Sequence, residues 1–302
     1  MPAPLARTVV LGDVMTDVIA RHHAPIAWGS DAPATVEHRS GGAGSNVAHW
    51  MAAHGVPVTL VVSVGDDAGG RAAVEELEGA GVDVQATVVP DLATGCIVAL
   101  VDARGERTFL SDQGANARMS APRLPADAGH LHVSGYAVHN AGNREMVREA
   151  IATARAAGLT ASVDPASVQP LFATGPRTFL DVVRGVTMLV VTVDEAELLV
   201  GTRDPARATD ALGEHADEVV LKLGRAGAVY CGNGVEVHLP AVEPPGPVID
   251  STGAGDAFLA ALLAARARGA GPTAAVEAGC RAGALAATRV GARPPAGEAG
   301  PG

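Results

Sequence analysis

Short β-branched runs alternate with helix-forming stretches along most of this chain, and that rhythm restricts the fold more than any other feature. Residues 8–12 (TVVLG) read as a buried strand. A helix is predicted over 47–55, a strand over 59–64 and a helix over 68–80. The rhythm resumes with a strand at 130–134, a helix at 143–157, strands at 159–164 and 188–193, a helix at 204–215 and a strand at 219–223. Strand and helix in turn imply βαβ units, hence an α/β fold with a mainly parallel sheet covered on both faces. Two extended segments, 96–101 and 106–110, are joined by a glycine-containing turn at 102–105 and predict a hairpin outside that sheet. Residues 20–40 are turn-rich, and 293–302, rich in Pro and Gly, predict a frayed tail. No linker separates independent units, so residues 1–302 are expected to form one domain.

Composition narrows the function classes. With 48% hydrophobic and 18% charged residues, the chain can bury a core and is not a disordered composition. Aromatics are only 3% while glycines number 37, so that core must pack backbone closely. A net charge of −11, with Lys222 the only lysine and no basic stripe, argues against a nucleic-acid partner. Cys96, Cys231 and Cys280 are odd in number and far apart, which suits neither a disulfide framework nor a zinc site. No stretch approaches the roughly 20 apolar residues of a membrane span, and no targeting pattern appears, so a cytoplasmic protein is expected. Walker A, G-x-G-x-x-G and G-x-S-x-G motifs are all absent, which removes the P-loop, dinucleotide and α/β-hydrolase classes.

The sharpest chemical signal is residues 250–256 (DSTGAGD), running directly into 257–265 (AFLAALLAA). Small residues before a strong helix former leave backbone N–H groups bare at a helix N-terminus, where anions bind. Asp256 falls in the first turn, placed to take a proton from a hydroxyl that attacks a bound phosphate. A glycine turn followed by an Asp that favours the helix dipole would account for the same seven residues. His130 and His132 share one strand face and read as satisfied polar positions, and Asp164-Pro165 ends a strand on the edge that carries the candidate residues.

Two stretches together decide between these accounts. Residues 250–256, and residues 41–48 (GGAGSNVA) followed by Gly55 and Gly65, resemble the two signatures of the PfkB or ribokinase family of carbohydrate kinases. Weaker similarity at 12–17, 193–197, 223–227 and 281–291 extends the resemblance over almost the whole chain. It implies a ribokinase-like three-layer α/β/α sandwich, with a small β-sheet lid built from about 14–39 and 94–112. It implies transfer of the γ-phosphate of ATP to a primary hydroxyl of a sugar, with Asp256 as base and Gly253, Ala254 and Gly255 forming the anion hole. A nucleoside kinase acting on adenosine, another purine nucleoside or pseudouridine is the alternative. A non-catalytic sensor on this fold would be expected to lose the base or anion hole, and both are present.

By the same resemblance Asp13, Asp17, Gly41, Gly42 and Asn46 bind the acceptor. Thr192, Lys222, Gly224, Gly227, Thr252, Cys280 and Gly283 border ATP. Glu195 holds Mg2+ through water, and Asp250 and Thr252 lie near a monovalent-cation (K+) site. A homodimer through the lid is implied. Three positions depart from ribokinases: Ala43 replaces a sugar-contacting lysine, Met15 an asparagine and Thr192 an asparagine. The first two point away from plain ribose. An apolar pocket over the acceptor would favour a nucleoside and a ring of polar side chains a sugar.

Overall fold

The computed structural model describes residues 4–22, 24–102, 104 and 106–294. The expected frayed tail beyond Pro294, and part of the turn at 102–105, lie outside the described residues. The chain opens with β1 (Arg7–Leu11), whose last four residues are fully buried. It then leaves the core for β2 (Met15–His22) and β3 (Ala34–Gly41), and returns through α1 (Ala43–Ala53), β4 (Val58–Gly65), α2 (Ala68–Gly79) and β5 (Asp83–Val89). A second excursion forms β6 (Gly95–Val101) and β7 (Arg107–Asp112). The rest of the chain builds β8 (Ala128–Ser134), α3 (Gly135–His139), α4 (Arg144–Ala156), β9 (Thr160–Asp164), α5 (Val168–Thr174) and α6 (Pro176–Val182). It continues with β10 (Met188–Thr192), α7 (Val193–Val200), α8 (Pro205–Gly213) and β11 (Glu218–Lys222). The hairpin β12 (Ala228–Gly232) and β13 (Val235–Leu239) precedes the last two helices, α9 (Ala254–Ala267) and α10 (Pro272–Ala286).

Nine strands form the central sheet in the order β13-β12-β11-β10-β9-β8-β1-β4-β5. All neighbours from β5 to β11 run parallel, and the last two pairings are antiparallel. Parallel strands are covered on both faces and read as continuous apolar runs. Alternate residues therefore enter two separate cores. Val10, Val190 and Val220 pack with α1, α2, α9 and α10, whereas Val9, Val191 and Val219 pack with α3 to α8. These are the three layers of a ribokinase-like fold.

The two excursions meet in a second sheet of order β3-β2-β6-β7. There β2 pairs antiparallel with β3 and parallel with β6, and β6 and β7 form the expected hairpin. Residues 20–40 are thus less turn-like than their composition suggests, because β3 gains its extended form from pairing with β2 along eight residues.

Strand order reverses between β1 and β8: the chain first builds outward to β4 and β5, then outward the other way to β9, β10 and β11. Ligands on open α/β sheets bind at such a reversal, outside the carboxyl ends of the strands. The small sheet stands over that edge, since β2 begins four residues after β1 ends.

Candidate active site

The carboxyl ends of the central strands deliver the polar residues. Asp13 follows β1, Asp164 ends β9, Thr192 ends β10 and Lys222 ends β11. From the opposite layer, α9 points its first turn at this edge. Gly253 caps α9 in the left-handed conformation at φ 75° with no side-chain cap. The Ala254 amide, expected in the anion hole, donates instead to the Ser251 carbonyl at 3.2 Å, and the Gly255 and Asp256 amides are the ones turned toward a ligand. A Cβ on Gly253 would lie 2.6 Å from that of Ala292. Gly253→Ala should therefore cost about 1–2 kcal/mol of stability from the backbone alone and lower turnover at least about tenfold by displacing the opening amides. Thermal melts and steady-state rates check both.

Asp256 stands in the first turn of α9. Burial pushes its carboxyl up to about 7; Asp164 and Asp13 add to the shift, while a hydrogen bond from Asn46 and the charge of Lys222 oppose it. The Asn46 Nδ2 donates to Asp256 Oδ2 at 2.9 Å. A base titrating near neutrality is well matched to removing a proton from an alcohol.

Lys222 contacts Asp164 directly, and the two side chains are only 13% and 11% exposed. Burial opposes the ammonium, but Asp164 and Glu195 together hold its pKa above the ordinary lysine value. The ammonium also reaches α9, because a Cβ on Gly255 would lie 3.8 Å from Lys222 Nζ. One fixed positive charge thus faces the bare amides at the helix start, a pairing suited to phosphate oxygens.

Glu195 is buried, and Asp164 beside it reinforces the effect of burial in raising its pKa. Its Oε2 accepts from the Thr192 amide at 2.7 Å, and Thr192 Oγ1 accepts from the Glu195 amide at 3.3 Å. This reciprocal capping box starts α7. Thr192, expected at ATP, therefore spends its hydroxyl on the helix. Two hard carboxylates beside one ammonium are a fitting donor set for a hydrated Mg2+, which takes few protein ligands and keeps its water. Glu195 and Asp164 would hold it, and the ion would neutralise charge on the phosphates.

Gly224 and Gly227 follow β11 with φ of 58° and 101° and make the turn into β12, continuing the same edge. Cys280 and Gly283 instead lie in the seam between α10 and α9: Cys280 is buried, and a Cβ on Gly283 would meet the Ala254 carbonyl at 3.1 Å. Thr252 donates from its amide (3.0 Å) and hydroxyl (2.7 Å) to Asp250 Oδ1, and the Gly291 amide donates to Asp250 Oδ2 at 3.3 Å.

Next to this edge lies a cavity of about 360 Å³, lined by Asp17, Asn46, Gly253 and Asp256 among others. Asp13, expected to bind acceptor, lines it too, but its carboxylate accepts from the amides of Ala43 (3.1 Å) and Gly44 (3.0 Å) and from Ser134 Oγ (3.1 Å). These bonds begin α1 four residues earlier than the periodicity suggests, so the glycine-rich segment is itself the first helical turn. Asp17 is different. Its Oδ1 is buried with no hydrogen-bond partner among the described residues, and burial raises its pKa to about 6 against the pull of Arg293. Gly41 leaves room for that carboxylate, which a Cβ would strike, and Gly42 adopts φ 102° just before α1.

Arg293 is the functional residue that sequence reasoning missed. Placed in an expected frayed tail, its side chain is 8% exposed and wedged between α1 and α2. Its Nε donates to Asn46 Oδ1 at 3.2 Å, Nη1 to Glu76 Oε1 at 2.7 Å, and Nη2 to Ser45 Oγ at 2.7 Å and the Gly41 carbonyl at 3.2 Å. Trp50 Nε1 fastens the same segment by donating to the Ala292 carbonyl at 2.9 Å. His130 and His132, in the middle of β8, share the Ser162 hydroxyl, and burial drives both to about 3, so they are neutral.

A helix start suited to an anion, a carboxylate poised near neutrality and a roofed cavity beside them fit a phosphotransferase for an alcohol group. The profile of the pfkB family carbohydrate kinases matches residues 5–298, and the chain belongs to that family. It is 30% identical over 301 residues to an ATP-dependent ribose-1-phosphate kinase of Halopiger xanaduensis, covering 96% of this chain and 94% of that one. Among solved structures, a putative ribokinase II from E. coli in complex with ATP and Mg2+ superposes with TM-score 0.83 at 25% identity, covering 95% and 94% of the two chains. Adenosine kinase from Sinorhizobium meliloti superposes with TM-score 0.86 at 22% identity over 98% of each chain. No helix among the described residues is long and apolar enough to cross a membrane.

Proposed function

We propose that this kinase phosphorylates the primary hydroxyl of a nucleoside. One observation carries the acceptor class: the small sheet puts an apolar patch on the cavity wall, with Asp17, Arg21, Arg39, Ser40 and Ser111 around it. Met15 and Ile19 of β2, Ile97, Ala99 and Val101 of β6, and Phe109 of β7 all line it. Such a wall suits a heterocyclic base and wastes itself on a free sugar, whose every edge carries a hydroxyl. The unpartnered Asp17 oxygen supplies what the ribose needs, an acceptor for its hydroxyls. Arg21 also lines the cavity with no partner among the described residues, and its donors suit carbonyl oxygens of the base.

In this reading Asp256 removes the hydroxyl proton while the α9 amides and Lys222 stabilise the transferring phosphoryl group. The sugar kinase remains the second reading, favoured by the similarity to the ribose-1-phosphate enzyme. Potassium near Asp250 and Thr252, and a homodimer paired along the free edges of β3 and β7, complete the proposal.

Measuring ATP consumption across nucleosides including pseudouridine, pentoses, pentose phosphates, hexoses and keto-acid sugars, with and without potassium, tests it. A nucleoside should exceed every sugar in kcat/KM by at least about tenfold. Turnover confined to sugars overturns the nucleoside assignment and leaves the sugar kinase.

A further inference from the structure

We propose that Arg293 is a positioning residue, whose guanidinium orients the Asn46 amide so that its Nδ2 end faces the Asp256 carboxylate. This rests on Asp256 being the base. The argument begins from what each group can do. A guanidinium has donors only, and a carboxylate has acceptors only. Asn46 lies between them, with Oδ1 accepting from Arg293 Nε at 3.2 Å and Nδ2 donating to Asp256 Oδ2 at 2.9 Å. A flipped amide would set N–H against N–H on one side and oxygen against oxygen on the other. The ionised carboxylate favours the same rotamer, but a protonated Asp256 could donate to the amide oxygen, and Arg293 is what holds the Nδ2 end toward it in that state.

The arginine is itself held by Glu76 on α2, Ser45 on α1 and the Gly41 carbonyl at the end of β3. It cannot follow a rotating amide without breaking those bonds. The arrangement is a relay from Glu76 through Arg293 and Asn46 to Asp256. It crosses the boundary between the α1–α2 layer and the site, and no member is adjacent in sequence to the next.

The surroundings set the sign of its effect. Asp256 is faced by Asp164 and Asp13, which disfavour its charge, by Lys222 and Asn46, which favour it, and by Tyr136, whose phenol is pushed up to about 12 and stays neutral. Arg293 is faced by Asp17 on β2, Glu76 on α2 and His49 on α1. Losing the guanidinium frees the Asn46 oxygen to turn toward Asp256, so the base holds its proton to higher pH. A merely structural arginine would lower stability without moving the base.

The test compares the wild type with Arg293→Met, Arg293→Lys, Asn46→Ala, the pair Asn46→Ala/Arg293→Met, and Asp256→Asn as control. Folded Arg293→Met should lose kcat about tenfold with the KM for ATP within about twofold, and its acidic limb should move up by at least about half a pH unit. The double variant should be no slower than Asn46→Ala alone, because the arginine acts only through the asparagine. If the methionine variant does not fold, the lysine variant, which keeps the charge but loses the fork, should show the same upward movement. An unmoved acidic limb in a folded variant, or losses that multiply in the double variant, would overturn the proposal. Substantial turnover in Asp256→Asn would instead remove the base assignment beneath it.

Discussion

Asp256→Asn should turn over about a thousandfold more slowly than the wild type and bind ATP nearly as well. The substitution keeps shape and the neighbourhood of Asn46, so the phosphate contacts proposed for the α9 amides and Lys222 should survive it. What disappears is the carboxylate that the proposed mechanism uses to accept the alcohol proton. Rates and ATP affinity measured side by side check the split. The carboxyl titrates near 7, so wild-type turnover should rise with pH through neutrality. Stability runs the other way. The folded-state pKa is raised above the ordinary 3.8, so between about pH 4 and pH 7 the folded chain holds a proton that the unfolded chain has released. This contribution is fully present at low pH and is lost as pH climbs through 7. The asparagine never ionises, and the variant should melt higher than the wild type at pH 8. Near-normal turnover, or a lower melting point there, would contradict the assignment.

Lys222→Met should have the largest effect on stability. It removes the sole ammonium from between two carboxylates, Asp164 and Glu195, that lie away from water. Stripping one partner from a buried pair costs roughly 3–5 kcal/mol, because the survivor keeps its desolvation penalty. In a chain of this size that is a fall of about 10 °C in Tm. Turnover should collapse too, since the ammonium reaches the start of α9. Adding Asp164→Asn should return much of the lost stability and none of the activity. Scanning calorimetry of the single and double variants separates these outcomes.

Much of this architecture was legible because the signals are local. The valine-rich runs that became β1, β4, β10 and β11 have no other way to bury both faces, and the glycines before 257–265 announce an open helix start. The β12–β13 hairpin carried a signal that went unread: Asn233-Gly234 turns with φ of 52° and 74°, the left-handed pair a two-residue hairpin demands. Other features had no local signal. Asp13 looks like any strand-end carboxylate until the amides of Ala43 and Gly44 fold onto it. Arg293 sits in a stretch whose composition predicts fraying, and its partners lie 217 to 252 residues upstream. The one hint was its place just after the stretch 281–291, where weaker similarity to the family continues.

The small sheet hangs from the core by four separate passages of chain: before β2, after β3, before β6 and after β7. A flap on two stalks can curl or peel, but a plate moored at four corners can only tilt as a unit. Opening to admit an acceptor would then spread its bending over all four moorings, Gly42 and Gly114 among them with φ of 102° and 47°. Stiffening any single corner would slow the whole plate, so release of product should be sensitive to substitutions that touch neither substrate nor phosphate.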